Sequence, residues 1–316
     1  MRKLLVFAVC GALALGAAAC GDDDDDSGGG GGGGGGGDLS GTIRIDGSST
    51  VAPFAQAAAE EFSATNPGVR VTVGTSGTGG GFEKFCAGET DISDASRPIE
   101  DDEIAVCKKN GIDYSEVQVA NDGIAVVSNT DLKVDCMTTA QLKELWNKGS
   151  KVSKLSDIDP SLPSTTLKLF GPGTDSGTFD FFTEQINGEE GVSRTDYQPS
   201  EDDNVLVQGV EGEAGGLGYF GFSYYEQNQD QLNLIGVGES AGNCIKPEAT
   251  NIQSGEYKPL SRPLLMYPSA KAIKKPEVKA FMDYVVENYD AIAEAAQIVP
   301  MNQTQADEAK AALGSS

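Results

Sequence analysis

Thr42-Ile43-Arg44-Ile45-Asp46-Gly47-Ser48-Ser49-Thr50 is a short β-rich run ending on a glycine and three hydroxyl residues. Pro53 to Ala64 follows it with Phe54, Ala58 and Phe62 at i, i+4 and i+8, the spacing of one buried helix face. The same grammar returns twice. Val69 to Val73 reads as a strand and runs into Gly74-Thr75-Ser76-Gly77-Thr78-Gly79-Gly80-Gly81, with a helix expected to open over Phe82 to Cys86. Leu167 to Phe170 reads as a strand and runs into Gly171-Pro172-Gly173-Thr174-Asp175-Ser176-Gly177-Thr178, with a helix expected from Phe179 to Ile186.

Between and after these units lie further elements. Ile92 sits in a short strand ending near Ser96-Arg97, and Val117 to Val127 holds a strong strand at Ile124-Ala125-Val126-Val127. Thr138 to Trp146 is helical, Leu217 to Phe222 is apolar and glycine-punctuated, and Pro263 to Tyr267 is a strand. Pro276 to Ala296 holds one or two closing helices. Strands that alternate with helices give an α/β fold. In such sheets ligands bind in loops at the carboxyl ends of the strands.

The three strand-to-helix turns share a chemistry. The first N–H groups of a helix lack intrahelical partners and carry the positive end of its dipole, which suits a tetrahedral oxyanion. Glycine permits close backbone approach, and Ser and Thr add donors at no cost in net charge. Any one such turn is accounted for by ordinary N-capping; three together point to a shared anion site. Arg97 is a fourth candidate, because its planar fork suits a bidentate oxyanion contact. Its competing role is an ion pair with Asp94 or Asp175.

Composition removes several classes. The 316 residues include no histidine, so Ser-His-Asp and Cys-His nucleophilic sites cannot be built, and most catalytic zinc sites lose their usual ligand. No Cys-x-x-Cys spacing is present, and neither metal nor cofactor is expected. The formal net charge is −25, from 23 Lys and Arg against 48 Asp and Glu. Clustered cations for nucleic-acid binding are therefore lacking. An anion site in such a chain must act at short range through preorganised donors, since salt screens attraction beyond about 10 Å.

The N-terminus reads as an export signal. Arg2 and Lys3 precede an apolar run, Leu4 to Ala19, that ends in Ala17-Ala18-Ala19-Cys20. The run is short for a spanning helix, although an uncleaved anchor is the alternative. Residues 1–19 are read as signal peptide and Cys20 as the lipidated first residue of the mature chain, through a lipobox-like sequence with Ala17 where Leu is usual. Residues 20–40, with Asp22 to Asp26 and Gly28 to Gly37, read as a flexible tether. The expected location is the outer face of the cytoplasmic membrane. Cys86, Cys107, Cys136 and Cys244 remain, an even count that suggests two disulfides. Three pairings are possible, with Cys86–Cys107 and Cys136–Cys244 favoured.

The segments Asp46 to Pro53, Thr75 to Gly81, Asp91-Ile92-Ser93-Asp94-Ala95-Ser96-Arg97-Pro98-Ile99 and Asp175-Ser176-Gly177-Thr178-Phe179 resemble the PstS family, the phosphate-binding proteins of the phosphate-specific ABC importer. Leu217 to Gly221 and Ser261-Arg262-Pro263-Leu264 are also similar, and order and spacing agree over most of residues 41–300. The resemblance implies a two-lobed periplasmic-binding fold of type II, with two hinge crossovers and the ligand in the interlobe cleft. The lobes would be 41–127 and 260–316 for the first and 128–259 for the second.

The implied ligand is inorganic phosphate, the implied partner an ABC permease complex, and the protein a monomer without catalytic function. Carried over by motif, the phosphate-binding residues would be Ser49, Thr50, Thr78, Gly79, Ser96, Arg97, Ser176, Gly177 and Thr178. Two positions depart from the family pattern: Pro172 stands where many members have Arg, and Ser96 where many have the Asp that accepts the phosphate proton. The cation is thereby assigned to Arg97, and Asp46, Asp94 and Asp175 are the candidate proton acceptors or Arg partners. The alternatives are another oxyanion (sulfate or molybdate), a phosphate-ester hydrolase, or a surface sensor on the same fold.

Overall fold

The computed structural model describes residues 39–314; the signal peptide, Cys20 and most of the tether lie outside the described residues. The three turn units fold as strand–turn–helix. They are β1 (Gly41–Gly47) into α1 (Ala52–Thr65), β2 (Val69–Gly74) into α2 (Gly77–Cys86), and later β6 (Lys168–Pro172) into α5 (Gly177–Phe182). Between them come β3 (Ile92–Ala95), α3 (Asp101–Lys109), β4 (Val117–Asn129), β5 (Cys136–Thr138) and α4 (Thr139–Trp146). The chain continues through β7 (Gln198–Ser200), α6 (Asp203–Gly212), β8 (Gly216–Gly221), α7 (Phe222–Gln227), β9 (Leu232–Gly238) and α8 (Ala249–Gln253). It closes with β10 (Ser261–Pro268), α9 (Pro276–Glu287), α10 (Tyr289–Ala295) and α11 (Gln303–Gly314).

The strands run in the order β2-β1-β3-β10-β4-β8-β6-β7, with β9 also pairing β4 and β5. β1, β2 and β3 are parallel, while β10 is antiparallel to both β3 and β4. β4 continues antiparallel to β8 and β9, so one 13-residue strand serves two halves of the sheet. Its sequence is buried almost throughout, as expected for a strand covered on both faces.

Two main cores take up the two ends of this strand, Val117 to Ala120 in the first and Ile124 and Val126 in the second. The first draws on Ile43 to Ala120 and on Leu264 to Leu313, including Phe54, Phe62, Phe281 and Met282. The second draws mainly on Ile124 to Leu260, centred on Trp146, Phe182 and Tyr219. The molecule is thus two-lobed. The chain leaves the first core between Ala120 and Ile124 and returns between Leu260 and Leu264. The disulfides are Cys86–Cys107, in a small cluster beneath α2 and α3, and Cys136–Cys244 in the second lobe.

Two helix boundaries differ from expectation. α2 begins at Gly77 rather than Phe82, so the glycine run is the helix's first turn. Glycine is a poor helix former, but here helix and strand meet backbone to backbone. A Cβ on Gly81 would lie 2.5 Å from Gly47 Cα and 2.9 Å from Asp46 O. The helix expected over Phe179 to Ile186 begins at Gly177 and widens into a π turn at Thr183–Asn187. α11 carries no strong periodic signal; it docks small residues, Ala306 and Ala309, on the first core.

Candidate functional site

The turn before α1 is tightly braced. Ser48 N donates to Asp94 O at 2.9 Å, Thr50 N to Ser48 Oγ at 3.2 Å, and Ala52 N to Ser48 O at 3.0 Å. These bonds hold Ser49 and Thr50 at the lip of a cleft of about 700 Å³ between the lobes. From the first lobe the cleft is also lined by Thr78 and Gly79 of α2, by Ser96 and Arg97 after β3, and by Arg262 of β10; the second lobe contributes Gly177 and Phe181 of α5. The turns of the two lobes are in close contact here. A Cβ on Gly177 would lie 2.8 Å from Ser49 Oγ and would overlap Thr50 Oγ1.

Seven of the nine residues expected at the site line this cleft: Ser49, Thr50, Thr78, Gly79, Ser96, Arg97 and Gly177. Ser176 and Thr178 are not among its lining residues. Ser176 serves as N-cap of α5, its Oγ accepting from Thr178 N at 3.2 Å. The hydroxyls of the first lobe are linked: Thr78 Oγ1 accepts from Ser96 N, and Thr78 Oγ1 and Ser96 Oγ are 3.2 Å apart.

Arg97 pairs with neither Asp94 nor Asp175, the competing role considered for it beside the oxyanion contact. Its guanidinium makes a bidentate contact with Glu103, at 2.9 and 2.8 Å, and reaches Glu100 at 3.2 Å. It also lies 5.8 Å from the Phe82 ring centroid. The three aspartates stand apart from the cleft lining, each for its own reason. Asp46 accepts from Ser76 N and Oγ and from Lys84 Nζ at 2.6 Å. Burial acts against its charge, yet these bonds hold its carboxyl below the ordinary value. Asp175 is exposed, and its backbone N–H donates to Glu201. Asp94 is fully buried in β3, and neither carboxylate oxygen has a hydrogen-bond partner. Burial first, and the charge of Asp46 second, push its carboxyl well above the usual range.

The residue without a role in the sequence reading is Arg262. Its side chain is only 12% exposed. Nε donates to Asp122 Oδ2 at 3.0 Å, Nη1 to Ser96 Oγ at 3.2 Å, and Nη2 to Thr50 Oγ1 at 2.8 Å and Gly177 O at 3.2 Å. The guanidinium lies over Phe181, 3.9 Å from the ring centroid, within cation–π range. The available signal was a cation opening an otherwise apolar strand, Pro263-Leu264-Leu265-Met266-Tyr267.

The carboxylates lining the cleft are Glu100, Asp180, Glu184 and Glu190. Asp180 is raised by burial and by Glu190, with Arg262 acting in the opposite sense. Long-range attraction of an anion by such a rim is weak. Fixed donors at contact distance are what the arrangement offers.

A domain model for the PBP superfamily matches residues 33–288. The chain is 40% identical over 275 residues to the phosphate-binding protein PstS of Staphylococcus saprophyticus, covering 86% of this chain and 84% of that one. The chain belongs to the PstS family. It is also similar to the protein SphX of Synechococcus elongatus, 44% identical over 261 residues, covering 82% of this chain and 77% of the relative. Among solved structures it matches that of a possible phosphate binding protein from Planctomyces limnophilus, at 44% identity and a TM-score of 0.82, covering 88% of this chain and 99% of that one. The two-lobed fold is the one expected of this family.

Proposed function

We propose that this chain captures inorganic phosphate outside the cytoplasm and delivers it to an ABC importer. The observation that carries this reading is the convergence, on one interlobe cleft, of hydroxyls from separate turns around a mostly buried arginine. In this reading Ser49, Thr50, Thr78, Gly79, Ser96 and Gly177 surround the anion. Arg97 and Arg262 supply positive charge, and Ser176 and Thr178 act by shaping the first turn of α5. The lobes, between which the chain passes from Ala120 to Ile124 and back from Leu260 to Leu264, close on the ligand by rotation at these two crossovers. The closed form is what the permease recognises.

Arg262 donates to the oxygens of Thr50 and Ser96. A hydroxyl that accepts from a cation keeps its own proton for another acceptor, so these two side chains are set as donors. No step breaks or makes a covalent bond, and the protein acts as a binding protein rather than an enzyme. The lipid anchor at Cys20, export and a monomeric state complete the reading. No helix among the described residues is long and apolar enough to cross a membrane.

Isothermal calorimetry of the exported protein with phosphate, sulfate and molybdate tests the ligand. Phosphate binding with much weaker sulfate binding is expected; equal affinities would sink the assignment. Turnover of a chromogenic phosphate ester would favour the hydrolase. Mass spectrometry of the mature N-terminus reads the anchor, where an unmodified Cys20 would remove it.

A further inference from the structure

We propose that Arg262 is a positioning residue, a latch built into the hinge that ties lobe closure to the order of the anion site. The proposal deepens the reading of the cleft as a phosphate site and rests on it. Its first support is location. Asp122 lies midway between Ala120 of the first core and Ile124 of the second, and Arg262 midway between Leu260 of the second and Leu264 of the first. The two residues are direct partners across β4 and β10. Both passages of the chain between lobes are therefore joined at one ion pair.

The second support is the division of the guanidinium's contacts. Asp122 anchors it at the hinge, and Thr50 and Ser96 hold it in the first lobe. Gly177 O and the Phe181 ring belong to the second lobe. A structural ion pair would need Asp122 alone. The contacts to α5 exist only while the lobes are together, and they use protein groups throughout. Four of the five N–H donors of the fork have protein acceptors. Lysine, a point charge without a planar fork, cannot reproduce the set. Opening the cleft breaks the contacts to α5 and removes one wall of the cage in which the Thr50 and Ser96 hydroxyls are held.

The test measures the distance between the lobes in the full-length protein. Fluorophores on noncanonical residues replacing Glu89 and Lys151, one per lobe, report it by single-molecule energy transfer, with and without phosphate. Phosphate-stripped wild type is expected to populate the short distance more than Arg262→Gln and Arg262→Lys do. Phe181→Leu, which leaves Arg262 in place, is expected to lie between them. Phosphate affinity of Phe181→Leu should weaken in proportion to the closed fraction lost, about tenfold where that fraction falls to about a tenth.

A distance distribution unchanged in Phe181→Leu and in the Arg262 variants overturns the latch. So does a wild-type distribution in Arg262→Lys, which would assign the effect to charge alone. If the Arg262 variants fail to fold, Phe181→Leu decides. Should wild type bind no phosphate, the functional reading fails, and the distances without phosphate still decide the latch.

Discussion

Arg262 and Asp122 face each other across β10 and β4, Nε of one 3.0 Å from Oδ2 of the other, at the level where both strands pass between the cores. Both side chains are only 12% exposed. A pair so placed sets the relative worth of the two arginines in the cleft.

Arg97 is the less consequential of the two. Its fork is already occupied by Glu103, and it is 35% exposed, so solvent and carboxylates attenuate its field. Arg97→Ala should weaken phosphate binding by about tenfold, or about 1.4 kcal/mol. Arg262→Ala should weaken it more, because it also leaves Asp122 without its partner. Calorimetry on the two variants checks the ranking, and the reverse order would return the main cation to Arg97.

Gly177→Ala should damage the site more than the fold. The added methyl meets Ser49 and Thr50 of the opposite lobe, whereas the residue sits at the start of a helix where alanine is well tolerated. Phosphate affinity is expected to drop by more than tenfold, with a melting temperature within a few degrees of wild type. A binding isotherm identical to wild type would show that the turns do not approach this closely in solution.

Asp94 predicts a pH dependence. Its folded pKa lies above its unfolded value, because burial disfavours the carboxylate. Its contribution to stability is therefore complete below the unfolded pKa and is lost as pH rises toward the folded value. In that window the loss is about 1.4 kcal/mol per pH unit. Asp94→Asn removes the titration. Urea unfolding of both proteins across pH should show wild type losing stability relative to the variant as pH rises; parallel curves would mean that Asp94 has found a partner.

The two disulfides should differ in worth. Cys136–Cys244 closes a separation of 108 residues and Cys86–Cys107 one of 21. In the chain-entropy account the longer loop contributes about 4.7 kcal/mol and the shorter about 3.3 kcal/mol. Paired alanine variants, compared by denaturant unfolding, should rank in that order. A larger loss at Cys86–Cys107 would place packing in its buried cluster above loop closure.

Much of the fold was legible because its signals are local. Strand, glycine-hydroxyl turn and helix follow each other within about twenty residues, so the order of β1 with α1, and of β6 with α5, is readable in the sequence, though the start of α5 and its π turn are not. The start of α2 was not legible, since glycine's backbone freedom argues for a loop. Only the contact of Gly81 with Gly47, residues on different elements, shows why glycine is required inside that helix. The same limit applied to the acids. Asp46, Asp94 and Asp175 look equivalent in sequence, and their separate fates depend on Lys84, on complete burial and on exposure.

By itself, then, the sequence determined the α/β alternation, the hydroxyl-rich turns, the absence of imidazole chemistry and the family, because each resides in short runs of residues or in composition. The tertiary structure alone decided which arginine joins the two lobes at the cleft. Arg262 meets Asp122 at a separation of 140 residues and Thr50 at 212. Contacts that long are created by strand pairing and lobe closure, and no local pattern encodes them.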